Sequence, residues 1–419
     1  MENKKILSSW KEISNYLGIR VRTAQRWEAE LGLPIHRIDE LNKTYVIAYA
    51  NELDEWLQKK TSKKSRTKTP KRKYFVGLVF GIVFILIIFL ILKSRKKAEI
   101  SSFKLSGTFL MIYNSNGQRQ WDFDLGPRLS EHEYSDEWAS ENVIIKDIDA
   151  DGRSNVIVAV QNKDHLDEKL ICLDSDGNLL WKFKVGREIL YGDKTISPDF
   201  NINNFRVEDL DGDFRSEIMV VANHKIYFPS HFVLLNYEGE VIGEYWNAGH
   251  FTNMIFFDLD DDNKKEIILG GVNNNYRKSC IAVFDHLNVK GSSPQEKGTK
   301  YFSPELESGT EKYYLLLPQN IVGQSMFIQE NIKAIDLLNN KRFEVTTTIS
   351  RIHYEFDNNL SCTNIYLGDE FILNFNKLKQ EGKLSIELSD IDIDKLRSEI
   401  LYWDSGVWSN RSVPAYPIP

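Results

Sequence analysis

Residues 143–160 read VIIKDIDADGRSNVIVAV, residues 207–222 read VEDLDGDFRSEIMVVA, and residues 255–271 read IFFDLDDDNKKEIILGG. Each stretch sets an Asp-rich loop between two short apolar runs. Those runs have strand length and many β-branched residues, so each loop joins two strands rather than two helices. The spacing is D-x-D-x-D-x-x-x-[N/E]. It is filled by Asp147, Asp149, Asp151 and Asn155, by Asp209, Asp211, Asp213 and Glu217, and by Asp258, Asp260, Asp262 and Glu266. Carboxylates at alternate positions of a tight loop converge on one point. Several hard oxygen ligands together suit Ca2+, here in a structural role. A single such loop reads equally well as an Asx-type turn without metal; three in the same strand context favour the ion.

Around these loops lie three hairpins: FLMIYNSNGQRQWDFDLG (109–126), LICLDSDGNLLWKFKVG (170–186) and FVLLNYEGEVIGEYWNAG (232–249). They turn at Gly117, Gly177 and Gly239, which suit a positive φ. Each carries a tryptophan, Trp121, Trp181 and Trp246, and these lie 60 and 65 residues apart. Four short strands per unit, repeated at about this length, describe β-propeller blades, and residues 100–419 have room for about five units.

Over residues 105–275 the loops and strands resemble the FG-GAP or VCBS-type repeats of integrin-like propellers. The resemblance implies that the acidic residues wrap Ca2+ and fix the loop between strands. The sixth loop position is usually Gly in that family. Gly152 matches and Asn263 tolerates a left-handed backbone, whereas Phe214 fits poorly and makes the second loop the weakest of the three. The hairpins are also similar to the tryptophan-bearing repeats of quinoprotein-type propellers, but no cofactor pocket is visible in the sequence. Further on, residues 312–318, 341–349, 363–375 and 383–389 read as strands. Asp390, Asp392 and Asp394 mimic the acidic spacing with Glu399 one place late, and IDKLRSEILYW reads as a helix.

The formal net charge of −7 is unevenly placed: residues 1–73 hold 17 Lys+Arg against 9 Asp+Glu, and residues 93–419 hold 36 against 51. The basic part suits nucleic acid or a membrane surface, the acidic part cations or basic ligands. Tyr74 to Leu92, YFVGLVFGIVFILIIFLIL, is 19 residues without a charge. As a helix it spans about 28 Å, the depth of a hydrocarbon core. Nine Lys/Arg in residues 59–73 outweigh four within Lys93–Lys97, which keeps the N-terminal side in the cytoplasm. The expectation is a single-pass protein of the plasma (inner) membrane of a bacterium, N-terminus cytoplasmic and C-terminal domain extracytoplasmic. Gly77 and Gly81 form a GxxxG that lets two membrane helices dimerise, giving a homodimer.

Ahead of that run, SWKEISNYLG (9–18) has a capping pair in Ser9 and Glu12, an apolar face of Trp10, Ile13 and Leu17, and a stop at Gly18. In the next helix Val21, Ala24, Trp27 and Leu31 share a face, and Arg20, Arg22, Thr23, Gln25 and Arg26 lie in its first turns. Two short helices joined at a Gly make a helix-turn-helix, and Arg, Gln and Thr at the start of its second helix suit phosphates and base edges. The stretch SWKEISNYLGIRVRTAQRWEAELGLPIHRI…TYVIAYANELDEWL resembles the winged helix-turn-helix of the MerR and excisionase type. That resemblance implies wing strands at 34–38 and 43–47, a closing helix at 51–57, and DNA contacts by Arg22, Thr23, Gln25 and Arg26, with Arg37 or Lys43 on a flanking phosphate. The acidic Asp39 and Glu40 at the wing tip depart from the pattern.

Cys172, Cys280 and Cys362 show no metal-ligand spacing and read as buried thiols. No catalytic motif is present, no GxSxG, HExxH or phosphate-binding glycine loop, so no enzyme is expected. His224 and His231 read as loop residues rather than ligands. The expected fold class is multidomain: a small all-α winged helix-turn-helix domain (1–58), a basic flexible tether (59–73), a single transmembrane helix (74–92) and an all-β propeller-like outer domain (100–419). The function this implies is a membrane-anchored one-component transcription regulator, with DNA inside and an unknown ligand or protein sensed outside. The alternative is a surface adhesion or assembly protein whose helix-turn-helix docks a cytoplasmic protein.

Overall fold

The computed structural model describes residues 5–40, 43–62, 99–127, 134–160, 168–338, 341–404 and 406–410. It divides into two compact units, Met1–Arg95 and Lys96–Pro419.

In the first unit, α1 (Trp10–Leu17) starts where Ser9 accepts the Glu12 N–H and ends at Gly18, φ +65°. The Glu12 carboxylate reaches back to the Ser8 N–H (2.8 Å), one residue earlier than a standard capping box. α2 (Val21–Leu31) ends at Gly32, φ +69°. Three strands follow the order β1-β3-β2: β1 (Ile6–Leu7), β2 (His36–Glu40) and β3 (Lys43–Tyr49). α3 (Ala50–Ser62) closes the unit. The core is Leu7, Ile13, Ala24, Leu33, Ala48 and Leu53. Val21 and Leu31, expected on the inner face of α2, are exposed; Ala24 and Trp27 carry that face, and Trp27 meets Trp56 of α3 at 5.8 Å.

This corrects the expected fold class. The first unit is not all-α/winged with a two-stranded wing alone, because a third strand, Ile6–Leu7, too short to show alternation, pairs with β3. The membrane helix and the single-pass inner-membrane location are not supported: among the described residues no helix is long and apolar enough to cross a membrane. α3, the longest of them at 13 residues, reaches only about 20 Å against a core of about 30 Å, and Lys59 and Lys60 sit in its last turn. Tyr74–Leu92, with Gly77 and Gly81, lies outside the described residues, as do residues 63–73.

The second unit is mostly β. Among the described residues five sheets of three or more strands follow one another, built like the blades of a β-propeller, with the two-stranded hairpin Ile189–Tyr191 and Lys194–Ile196 between the second and third. The first has Ile100–Ser106, Phe109–Asn114 and Arg119–Asp124; the second has Val143–Lys146, Asn155–Val160, Lys169–Leu173 and Leu179–Lys184. The third has Phe200–Glu208, Glu217–His224, Ser230–Leu235 and Val241–Asn247, with Lys290–Ser292 added in parallel at its edge. The fourth has Phe251–Phe257, Glu266–Asn273, Lys278–Phe284 and Tyr313–Leu316, extended by Leu401–Asp404 and Val407–Ser409. The fifth has Ile332–Leu338, Arg342–Thr347, Ile352–Phe356 and Cys362–Leu367.

Inner strands are apolar without alternation because both faces are covered. Every residue of Glu217–His224 is buried. Ile218, Val220 and Ala222 pack toward the second sheet, and Met219 and Val221 toward the fourth. The tryptophans staple one hairpin to the next. Trp121 Nε1–H donates to the Ser175 carbonyl (2.9 Å) and Trp181 Nε1–H to the Tyr237 carbonyl (3.0 Å). Their rings lie against Gly177 and Gly239, where an added Cβ would sit 2.8 and 2.5 Å from ring carbons. Trp246 is not their equivalent. Trp121 and Trp181 each stand four residues after their turn glycine, and in the third hairpin that place is Gly243. Trp246 instead stacks on His231 at 4.1 Å.

Past residue 276 the strand reading partly fails. Residues 363–375 split into a strand and the helix Asp369–Gln380, and 383–389 hold only the 3-10 turn Leu388–Asp390. His224 and His231 lie in strands, and His224 Nδ1 accepts the Ile226 and Tyr227 N–H groups. The three cysteines are free and buried; burial pushes Cys172 and Cys280 up to about 12 and Cys362 to about 11.

Gly239→Ala and Gly107→Ala separate staple packing from backbone strain. Both positions have positive φ, but only at Gly239 would the new methyl meet a ring. Each substitution is expected to cost about 1–2 kcal/mol for the left-handed backbone, and Gly239→Ala about 1–3 kcal/mol more for overpacking. Urea denaturation checks this; equal losses would contradict the staple.

Candidate functional site

Each acidic loop joins the first and second strands of its sheet, in the second, third and fourth sheets. The three backbones agree at every diagnostic place. Positive φ falls at the fourth and sixth positions throughout: Ala150 and Gly152, Gly212 and Phe214, Asp261 and Asn263. Phe214 therefore takes the left-handed conformation the sequence argued against. Its ring is 76% exposed, so only the local strain of about 1–2 kcal/mol opposes it.

Side-chain oxygens hold this backbone. The sixth-position N–H donates to the first Asp (Gly152 to Asp147, 2.9 Å; Phe214 to Asp209, 3.0 Å; Asn263 to Asp258, 3.1 Å). The seventh-position N–H donates to the fifth (Arg153 to Asp151, Arg215 to Asp213, Lys264 to Asp262). The ninth residue accepts from the second-position N–H: Asn155 from Ile148 (3.3 Å), Glu217 from Leu210 (3.0 Å) and Glu266 from Leu259 (2.7 Å). Those second-position side chains are buried, which anchors each loop in the core. Adjacent loops are also joined: Ser216 N–H donates to the Ile148 carbonyl and Lys265 N–H to the Leu210 carbonyl, both at 2.9 Å.

Three ligand oxygens converge within 4.8 Å in each loop: Asp147, Asp149 and Asp151; Asp209, Asp211 and Glu217; Asp258, Asp260 and Asp262. Asp213 and Glu266, also expected as ligands, stand outside these carboxylate groups; Asn155, the expected amide ligand, accepts the Ile148 N–H. Glu266 closes its loop as Asn155 and Glu217 close theirs, and Asp213 holds the Arg215 N–H as Asp151 and Asp262 hold theirs. The first loop fits a metal on its own geometry, because the buried Asp147 Oδ1 has no hydrogen-bond partner.

The loops differ in charge. Burial, then the charges of Asp151 and Asp147, raises Asp149. Burial raises Glu217 to about 7, with Asp211 and Asp213 adding to it. Among the described residues no ion pair reaches the second loop. In the third loop burial is more than offset at Asp260, which is held below its usual range by the Lys312 ammonium. Lys312 Nζ lies 2.7 Å from Asp260, 3.3 Å from Asp285 and 3.4 Å from Glu266. Sequence reading missed Lys312 because it lies 46 residues beyond Glu266 in the chain.

In the first unit Arg20, Arg22, Gln25 and Arg26 are exposed along the first turns of α2, with Thr23 half-buried. Arg20 and Arg22 make no ion pair among the described residues, and Arg26 faces Glu30 only at 4.0 Å. Arg37 is engaged by Glu28, its two guanidinium nitrogens on the two carboxylate oxygens. Lys43 begins β3, and its side chain is outside the described residues.

A cleft of about 400 Å³ in the second unit is lined by Tyr276, Arg277, Lys278, Gln324, Phe327 and Glu330, among others. Arg277 and Lys278 have no carboxylate within ion-pair distance among the described residues. Neither stood out in the sequence, because only the fold sets them beside Phe327.

No family model and no curated protein matches the chain. Solved structures similar to it include the exotype rhamnogalacturonan lyase YesX (13% identity, TM-score 0.31, covering 61% of this chain and 48% of that one). The C-terminal domain of Pseudomonas aeruginosa PilY1 is similar at 12% identity and TM-score 0.38, covering 63% and 58%. The Dos1 propeller is similar at 10% identity and TM-score 0.31, covering 65% and 69%. The chain thus spans 48% and 58% of the first two. At these values the likenesses carry no argument about activity, and the blade description rests on the sheets themselves.

The raised Glu217 gives a pH signature. A carboxyl whose folded pKa exceeds its unfolded value takes up a proton on folding, so its contribution is present at low pH and is lost as pH rises. In chelator, wild-type stability relative to Glu217→Gln is expected to fall between about pH 4.5 and pH 7, followed by thermal melts. A flat difference across that window would contradict the uncompensated loop.

Proposed function

We propose that the protein is a one-component transcription regulator. Its first unit binds DNA as a winged helix-turn-helix of the MerR and excisionase type. Its second unit, of FG-GAP or VCBS type and stiffened by structural Ca2+, meets a ligand or partner. The observation that carries the DNA reading is α2, whose opening turns present Arg20, Arg22, Gln25 and Arg26 to solvent, with the charge of the three arginines largely unspent inside the unit. Guanidinium groups read guanine edges and phosphates, and a glutamine reads adenine. Arg37 drops out of the contact set because Glu28 already holds its fork. For the second unit, hard oxygens on alternate loop positions support Ca2+ over softer metals, and the cleft with Arg277 and Lys278 supports an anionic ligand.

The test is binding of the full chain to a random-sequence DNA duplex across a salt series. Binding should weaken steeply with salt. The Arg20→Ala/Arg22→Ala/Arg26→Ala variant should lose affinity and shrink the salt slope by about three if each arginine meets one phosphate. No binding at low salt, or a variant that binds as well as the wild type, would sink the DNA reading.

A further inference from the structure

We infer that the third acidic loop carries its cation within the chain: the Lys312 ammonium engages Asp260, one of the three carboxylates a metal would need, and the protein binds two calcium ions rather than three. This rests on reading the first two loops as calcium sites.

Lys312 stands just before the strand Tyr313–Leu316, where its N–H donates to the Val283 carbonyl (2.7 Å). That bond sets the side chain to run beneath the loop. Its Nζ is ringed by carboxylates of Asp260, Asp285 and Glu266 at 2.7, 3.3 and 3.4 Å, and its side chain is only 6% exposed. Lys341, from the fifth sheet, pairs with Asp261 of the same loop. An ammonium at these distances uses the third and ninth positions, which the other loops leave to an ion or to loop closure. A divalent ion drawn to Asp258, Asp260 and Asp262 would sit against a fixed positive charge and could not take Asp260 without expelling it.

The other two loops lack this device. In the first loop Arg153 approaches Asp151 at 3.6 Å, but both are well exposed and the pair is solvent-screened. In the second loop no cation comes within ion-pair distance among the described residues, although it has the same backbone. Identical loop geometry with different internal charge predicts different metal demand.

The test counts calcium bound to the full chain by native mass spectrometry and titration calorimetry, with melting followed in chelator and in excess Ca2+. The wild type should bind two ions. Asp209→Asn should lower the count to one and Asp258→Asn should leave it at two, which keeps the test open if the lysine variants fold poorly. Lys312→Met should melt lower in chelator, because it strands buried carboxylates; it should bind a third ion and regain its melting temperature in Ca2+. Lys312→Arg should stay at two. Three ions in the wild type would overturn the inference and leave the calcium reading standing, as would a Lys312→Met protein that still binds two. No ions in a folded wild type would overturn both.

Discussion

The backbone hydrogen bond from Ser216 to Ile148, repeated from Lys265 to Leu210, ties the acidic loops into a chain that crosses from one sheet to the next. Its acceptors belong to the second loop residue, whose side chain is buried in the core and whose own N–H is held by the ninth residue. With that residue fixed on both sides, the carboxylates before and after it have little freedom. Their convergence follows from the anchoring, and the left-handed fourth and sixth positions are the turns needed to bring the chain back to the second strand.

Anchoring concentrates negative charge, and three solutions to that charge appear in one chain. The third loop uses a buried lysine, the first has a solvent-screened arginine and an unpartnered buried oxygen on Asp147, and among the described residues no ion pair reaches the second. Burial raises Asp149 and Glu217, with neighbouring carboxylates adding to it, whereas the Lys312 ammonium outweighs burial at Asp260 and lowers it. Away from the loops the sheets are held by their apolar faces and by the Trp121 and Trp181 staples, which cross from the first sheet to the second and from the second to the third.

The acidic loops, the glycine turns and the two helices of the first unit were legible because each is a local pattern. Spacing alone puts Asp147, Asp149 and Asp151 together, and Gly18 stops α1 by its own φ. What the sequence hid is long-range or disguised. Lys312 meets a loop far back in the chain. The fifth sheet repeats the hairpin turn at Asp357, whose Oδ1 accepts two backbone N–H groups, but with Leu360 at φ +56° in the glycine place. The helix Asp369–Gln380 follows the strand Cys362–Leu367 across only Gly368, and its apolar FIL run after Asp369 and Glu370 reads as more strand. Trp246 had the right residue type and nearly the right period, yet its neighbours make it a core stack on His231. The all-α/winged reading of the first unit missed the strand Ile6–Leu7, too short to show a pattern, and the inner-membrane placement finds no support because among the described residues no helix is long and apolar enough to cross a membrane.

A loop-stabilised set of blades explains how the second unit stands, and the bare arginines of α2 explain why DNA is the proposed partner of the first. Chromatin immunoprecipitation with sequencing, on the full-length protein in its native host, tests that central claim most directly. Two copies would set their recognition helices about 34 Å apart on one DNA face. Discrete peaks sharing a short inverted repeat are therefore the expected result. A flat profile with expression confirmed would contradict it.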